Sequence, residues 1–283
     1  MNFIQSSLLG ATRAITSSTR LKGRYVLSEI LVDFLNVKKD TIDAPLGKYQ
    51  LDLSMNDLIQ RQIYFGLYDT SEIALLKRIL KPGDTFFDIG ANIGYYSLNA
   101  SQFVGDGGSV HSFEPIPANF ARLQHYIERN HIQNIHPNQV AVGETEGSLT
   151  LHYGDENQGN SGWASVVPSD RRKKSIVVPT ITIDNYVQQN NIARVKLIKL
   201  DIEGAELLAL SGMQKLLASS DAPDLLVEVN PFFFTKQGKD SRTLTEWLAT
   251  HGYTLHLIDE QTTFDPSTIA TKLINLYCDK KSS

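Results

Sequence analysis

Four short runs of this 283-residue chain set carboxylates where an apolar segment gives way to a turn. The first is Phe86-Phe87-Asp88-Ile89-Gly90-Ala91-Asn92-Ile93-Gly94-Tyr95-Tyr96. Gly90 lets the backbone turn sharply, and Gly94 lets a helix start lie close to the strand and to a ligand. A dinucleotide fingerprint carries a further glycine where Asn92 stands, so that a pyrophosphate can sit on the helix N-terminus. A carboxylate at Asp88 would repel that pyrophosphate but suits a ligand bearing an ammonium group. Both residues therefore argue against an NAD-dependent dehydrogenase. The second run is Ser112-Phe113-Glu114-Pro115. Glu114 falls 24 residues after Gly90, near the roughly 20 that separate a glycine turn from a ribose-binding acid. Its two oxygens can accept hydrogen bonds from ribose hydroxyls.

The third run is Ile198-Lys199-Leu200-Asp201-Ile202-Glu203-Gly204-Ala205-Glu206. A helix N-terminus accounts for Glu206. It accounts less well for Asp201, which precedes the helix. The fourth is Leu226-Val227-Glu228-Val229-Asn230-Pro231. Glu228 interrupts an apolar strand, and Asn230 shares its face two residues on. A buried acid there needs a partner, whether substrate, metal or structural.

These runs need a frame that brings them together. Thr85–Ile89, Ser109–Phe113, Asn138–Val142, Val195–Leu200 and Asp224–Val229 read as strands. Helices are predicted from about Ile93 to Phe103, Pro117 to Arg129 and Ala205 to Leu217. A capped helix from Ser241 to Thr250 and strands over Tyr253–Ile258 and Leu273–Cys278 complete the pattern. Such alternation predicts an α/β fold with a mostly parallel sheet and helices on both faces. In a doubly wound sheet the first and fourth strands flank the switch point, so Asp201 is expected in the same crevice as Gly90. Ser148–Tyr153 and Ile176–Ile181 break the rhythm as an inserted hairpin around a polar loop. Trp163 in that loop suits either stacking on a sugar face or anchoring the loop. Arg171-Arg172-Lys173-Lys174 reads as a solvated turn. His111 is weaker than the carboxylates as a base, because no histidine ends a crevice strand.

Composition limits the alternatives. Hydrophobic residues make up 41% of the chain, enough for a sizeable core, and the formal charge is −4. A general nucleic-acid binder would show a basic excess, so no nucleic acid is expected. The single cysteine, Cys278, rules out an internal disulfide and a cysteine zinc site, and points to a reducing, cytoplasmic setting. No apolar run is long enough to span a bilayer. The first 28 residues carry Arg13, Arg20, Lys22 and Arg24 and no acid. They read as a helical extension packing on the domain or on a partner subunit, with a transit peptide or surface-binding helix as the other reading.

Taken together, Asp88 to Ser97, Phe113-Glu114-Pro115, Val140-Ala141-Val142-Gly143, Ile198 to Glu206 and Glu228-Val229-Asn230-Pro231 resemble the FkbM family of S-adenosylmethionine-dependent methyltransferases. Upstream, Ile63 to Asp69 resembles a family segment that usually has Glu after the tyrosine, where this chain has Asp69. The resemblance implies a class I, Rossmann-like methyltransferase fold of seven strands in the order 3-2-1-4-5-7-6, the last antiparallel. It implies a methyltransferase domain over residues 52–283 behind an N-terminal extension over 1–51. S-adenosylmethionine is the implied cofactor, bound by Asp88, Gly90, Ala91, Asn92, Gly94, Tyr95, Ser97, Glu114, Pro115, Ala141 and Asp201. The implied reaction is O-methylation of a sugar, glycan or secondary metabolite, with Asp201, Glu203 and Glu228 as candidate bases. Tyr68, Asp69, Trp163 and Asn230 are candidate acceptor contacts. Magnesium and a homo-oligomer stay open, and a non-catalytic cofactor-binding scaffold is the alternative.

Overall fold

A computed structural model describes residues 3–17, 22–37, 41–154, 164–168, 172–258 and 262–280. The chain forms two compact units, one within residues 1–70 and one within residues 71–283. The first holds helices Phe3–Thr16 and Arg24–Leu35, an antiparallel hairpin of Thr41–Leu46 with Tyr49–Ser54, and helix Leu58–Tyr64. Asp57 caps the last helix by accepting from the Gln60 N–H. Buried Arg61 grips Glu29 through both guanidinium branches, at 3.0 Å each. No helix among the described residues is long and apolar enough to cross a membrane.

The second unit is built on an eight-stranded sheet. From one edge its strands run Ile135–Asn138, Ser109–Phe113, Thr85–Ile89, Leu197–Leu200, Asp224–Val229, Ile274–Lys280, Tyr253–Leu257 and Thr262–Thr263. The first five are parallel neighbours, and Ile274–Lys280 is antiparallel to the strands on both its sides. This is the 3-2-1-4-5-7-6 order with an antiparallel final strand, followed by one extra two-residue strand. The class I methyltransferase fold is therefore present. Phe87, Ile89, Phe113, Ile198, Leu200, Leu225 and Val227 form the sheet's buried apolar center. Cys278 is fully buried there, level with Leu225 on one side and Leu255 on the other.

Three elements differ from the sequence reading. The third parallel strand is Ile135–Asn138, not Asn138–Val142. Ala141 and Val142 instead pair with Thr180 and Ile181. Their apolar side chains drew the prediction, but they are buried with Leu151 and Val178 or against the main core. The predicted hairpin is part of a separate four-stranded sheet made from 141–142, 174–181, 147–153 and 164–165. Finally, the single helix expected from Ala205 to Leu217 is two, Glu206–Ser211 and Gln214–Ala218. The break falls at Gly212, where a side-chain Cβ would lie 2.0 Å from the Gly143 carbonyl oxygen.

Candidate active site

The carboxyl ends of the four central parallel strands carry the expected acids. Gly90 has φ +83°, and a Cβ there would lie 1.9 Å from the Asp201 carbonyl oxygen. Only glycine permits that approach, which brings the turn after the first strand against the turn after the fourth. Gly94 has φ +90° and packs on Leu123, leaving helix Tyr95–Val104 close to its neighbor. Asn92 also adopts a left-handed backbone, with φ 52°, and its side-chain oxygen accepts from the Ile93 N–H at 2.7 Å.

A polar row crosses three strands beneath the turn. Ser112, Asp88 and Lys199 are register partners on adjacent strands. Ser97 Oγ donates to Asp88 Oδ2 at 2.6 Å and lies 2.7 Å from Ser112 Oγ. Lys199 Nζ is 3.5 Å from Asp88 Oδ1 and 3.3 Å from Asp201 Oδ2. It also donates to the Gly90 carbonyl at 3.2 Å and lies over the Tyr96 ring. Lys199 thus ties both turns to one buried cation. Asp88 is fully buried, and its Oδ1 accepts no hydrogen bond.

Glu114 is held differently. Its Oε2 accepts from the Asn92 N–H at 2.8 Å and its Oε1 from the Ile116 N–H at 2.9 Å. Burial pushes its carboxyl up to about 7 against the pull of those donors. A hydrogen bond from the Asn119 side chain adds to these two backbone donors.

Across the crevice, one carboxylate oxygen each from Asp201, Glu203 and Glu228 lie within 4.8 Å of one another. Glu203 sits in a left-handed backbone conformation, φ 53°, uncommon for a residue with a side chain. Ser165 Oγ fixes its carbonyl with a 2.5 Å hydrogen bond. Burial, then the Asp201 carboxylate, push Glu203 up to about 8, while Arg172 pulls the other way. Burial and the carboxylates of Asp201, Glu203 and Glu206 push Glu228 well above the ordinary range. Its Oε1 is a buried atom with no hydrogen-bond partner among the described residues. Glu206 takes the helix-start role, accepting from the N–H groups of Gly204 and Ile202 at 3.1 and 3.4 Å.

Other site residues fall elsewhere. Ala91 is buried beside the turn, and Tyr95 and Pro115 are half-buried at the two helix starts. Ala141 packs in the small cluster with Ile116, Leu151 and Val178. Asn230 caps the helix Pro231–Lys236 by accepting from the Phe232 N–H at 3.3 Å. Tyr68 and Asp69 belong to the first unit, Asp69 with φ 43°. Trp163 lies outside the described residues. His111, the weaker candidate base, lies in the second strand. Burial, with His136 stacked on it, lowers it to about 4, and Nδ1 hydrogen-bonds the Tyr186 hydroxyl at 2.8 Å.

Two cations beside the acids are not among the residues singled out from the sequence. Lys199 was legible as a lone charge inside an apolar strand, two residues before Asp201 and so on the same face. Arg172 was read as part of a solvated turn. It is buried, 3.9 Å from Glu203 and above the Phe233 ring, a position that its basic neighbors in sequence disguise.

The arrangement can bind a nucleoside through Glu114 and place a cationic group before a wall of carboxylates. The cradle fits S-adenosylmethionine: a buried acid after the second strand, glycines at positions 90 and 94 where a Cβ would clash, and a group of carboxylates across the crevice. A family model described as "Methyltransferase FkbM domain" matches residues 88–255. The chain is 26% identical over 149 residues to "Methyltransferase 1" of Beauveria bassiana, covering 47% of this chain and 59% of that protein. It is 26% identical over 162 residues to "31-O-demethyl-FK506 methyltransferase FkbM" of Streptomyces tacrolimicus, covering 48% and 61%. It is 28% identical over 185 residues to "Hexuronic acid methyltransferase AglP" of Haloferax volcanii, covering 62% and 69%. The matches span about three fifths of the first two relatives' length.

Proposed function

The chain belongs to the FkbM methyltransferase family, and from that premise we propose that it moves a methyl group from S-adenosylmethionine to a hydroxyl of a sugar, glycan or secondary metabolite. The observation that carries the proposal is the meeting of the glycine turn, Glu114 and the Asp201–Glu203–Glu228 cluster at the ends of adjacent strands. The name of the Streptomyces relative supports an oxygen acceptor, and that of the Haloferax relative supports a sugar acid as the substrate class. The proposal keeps catalysis within residues 52–283, leaves residues 1–51 as an extension, and assigns a cytoplasmic setting.

The cofactor supplies an activated methyl on a cationic sulfonium. The chain's work is to bind, align and exclude water. Glu114 orients the ribose. The turn from Gly90 to Gly94, with Ala91, Asn92 and Tyr95, bounds the methionine end. Asp88, Ser97 and Lys199 support it from below. The acceptor hydroxyl is a poor nucleophile until its proton leaves, and Asp201, Glu203 and Glu228 are the proposed candidates for removing it. Asp201 and Glu228 complete the acidic wall that the sulfonium faces. Tyr68, Asp69, Trp163 and Asn230 remain proposed acceptor contacts.

The test is a screen of hydroxylated sugars and metabolites with labelled methyl donor. Donor titration runs in parallel, with NAD as control. Transfer of label to oxygen supports the proposal. Donor binding without transfer to any acceptor favors the scaffold alternative, and NAD binding in place of the donor overturns the proposal.

A further inference from the structure

We propose that Asp201, Glu203 and Glu228 form a binding site for one hard divalent cation of the magnesium and manganese class. The inference rests on the methyltransferase proposal only for the identity of the crevice. Three carboxylates from two neighboring strand ends bring oxygens within 4.8 Å of one another. Oxygens on opposite sides of an ion bound at about 2.1–2.4 Å stand roughly 4.2–4.8 Å apart, so this separation suits a shared ion without a rebuilt backbone. All-oxygen donors select hard cations over zinc or copper.

A crowd of acids alone would not carry the assignment. The second observation is Glu228 Oε1, a buried oxygen that no donor reaches among the described residues. Buried polar atoms are almost always satisfied, so an orphaned acceptor beside two further carboxylates marks a missing positive partner. Neighboring cations do not fill that place. Lys199 is drawn between Asp201, Asp88 and the Gly90 carbonyl. Arg172 stands 3.9 Å from Glu203 and rests on Phe233. Glu203 holds a left-handed backbone conformation, and Ser165 hydrogen-bonds its carbonyl. Mg²⁺ is commonly held by few protein carboxylates and keeps several waters. Such an ion leaves coordination positions open beside the place where an acceptor hydroxyl would enter.

The experiment is manganese titration of chelator-treated full-length protein without donor or acceptor, read by loss of the free-ion paramagnetic resonance signal. One tight site is expected, with magnesium competing for it. Glu203→Gln and Glu228→Gln should each weaken it at least tenfold. Thermal unfolding supplies the second readout. Manganese should raise the melting temperature of the parent protein but not of Glu228→Gln, whose fold should survive because the change removes mutual repulsion. Absence of manganese binding overturns the site, as does binding that both substitutions leave unchanged. S-adenosylmethionine titration on the same samples separates the two proposals. Donor binding without manganese binding removes the cation site alone. Manganese binding without donor binding removes the methyltransferase proposal and leaves the cation site standing.

Discussion

Glu114 and the Asp201–Glu203–Glu228 cluster sit at the ends of strands two and three apart in the sheet, yet the chain treats their charges in opposite ways. Glu114 is wrapped by backbone N–H groups on both oxygens. The cluster turns its carboxylates on one another and leaves an oxygen of Glu228 without a donor. A satisfied acid is a fixed recognition element, complete before ligand arrives. A frustrated cluster stores repulsion that a positive ligand relieves on binding. The contrast suits a donor with a neutral ribose at one end and a cationic sulfonium at the other.

The contrast can be broken at its hinge. Gly90→Ala would drive a Cβ to 1.9 Å from the Asp201 carbonyl in a left-handed backbone. It should cost about 4 kcal/mol or prevent folding, as read by urea denaturation. A mild effect would mean that the two regions are not locked together there. Lys199→Met should come next, at about 3 kcal/mol, because it strands a fully buried Asp88 and frees Asp201. Unchanged stability would show that Lys199 does not balance those acids.

Glu114→Gln should keep the fold but weaken donor binding about tenfold, near 1.4 kcal/mol, measured by calorimetry. If its affinity matched the parent's, Glu114 would be structural only. The smallest effect is a pH slope. Glu203 titrates higher folded than unfolded, so its stabilizing contribution is full below the unfolded value and fades as pH rises through about 8. Between pH 7 and 9 the unliganded protein should lose about 1 kcal/mol from this group, and Glu203→Gln should flatten that loss. A parent protein equally stable at both pH values would contradict the repulsion on which the contrast depends.

Four of the five parallel strands were legible because apolar runs, glycine turns and terminal acids coincide in one short stretch after another, whereas their order came from the resemblance to the FkbM family. Glu114 was legible for the same reason: its spacing from Gly90 reflects the length of one strand–helix–strand unit. What stayed hidden depends on contacts distant in sequence. Val140 to Val142 has the composition of a core strand, and only its partners at Thr180 and Ile181 assign it to the second sheet. The break at Gly212 comes from its approach to Gly143, far upstream. Arg172 looked solvated because its neighbors are basic, whereas its position is decided by Glu203 and Phe233. The hairpin from Thr41 to Ser54 alternates buried and exposed residues, but it carries no chemistry that would draw attention to it.

Cys278 gives the sheet a built-in tripwire. It is the chain's one thiol, fully buried between the strands that carry Leu225 and Leu255, and burial raises its pKa far above the ordinary thiol value. A thiol reagent therefore meets no reactive sulfur until the antiparallel edge of the sheet opens. The rate of labelling at that single atom becomes a clock for sheet opening, readable in the unmodified protein with and without its ligands.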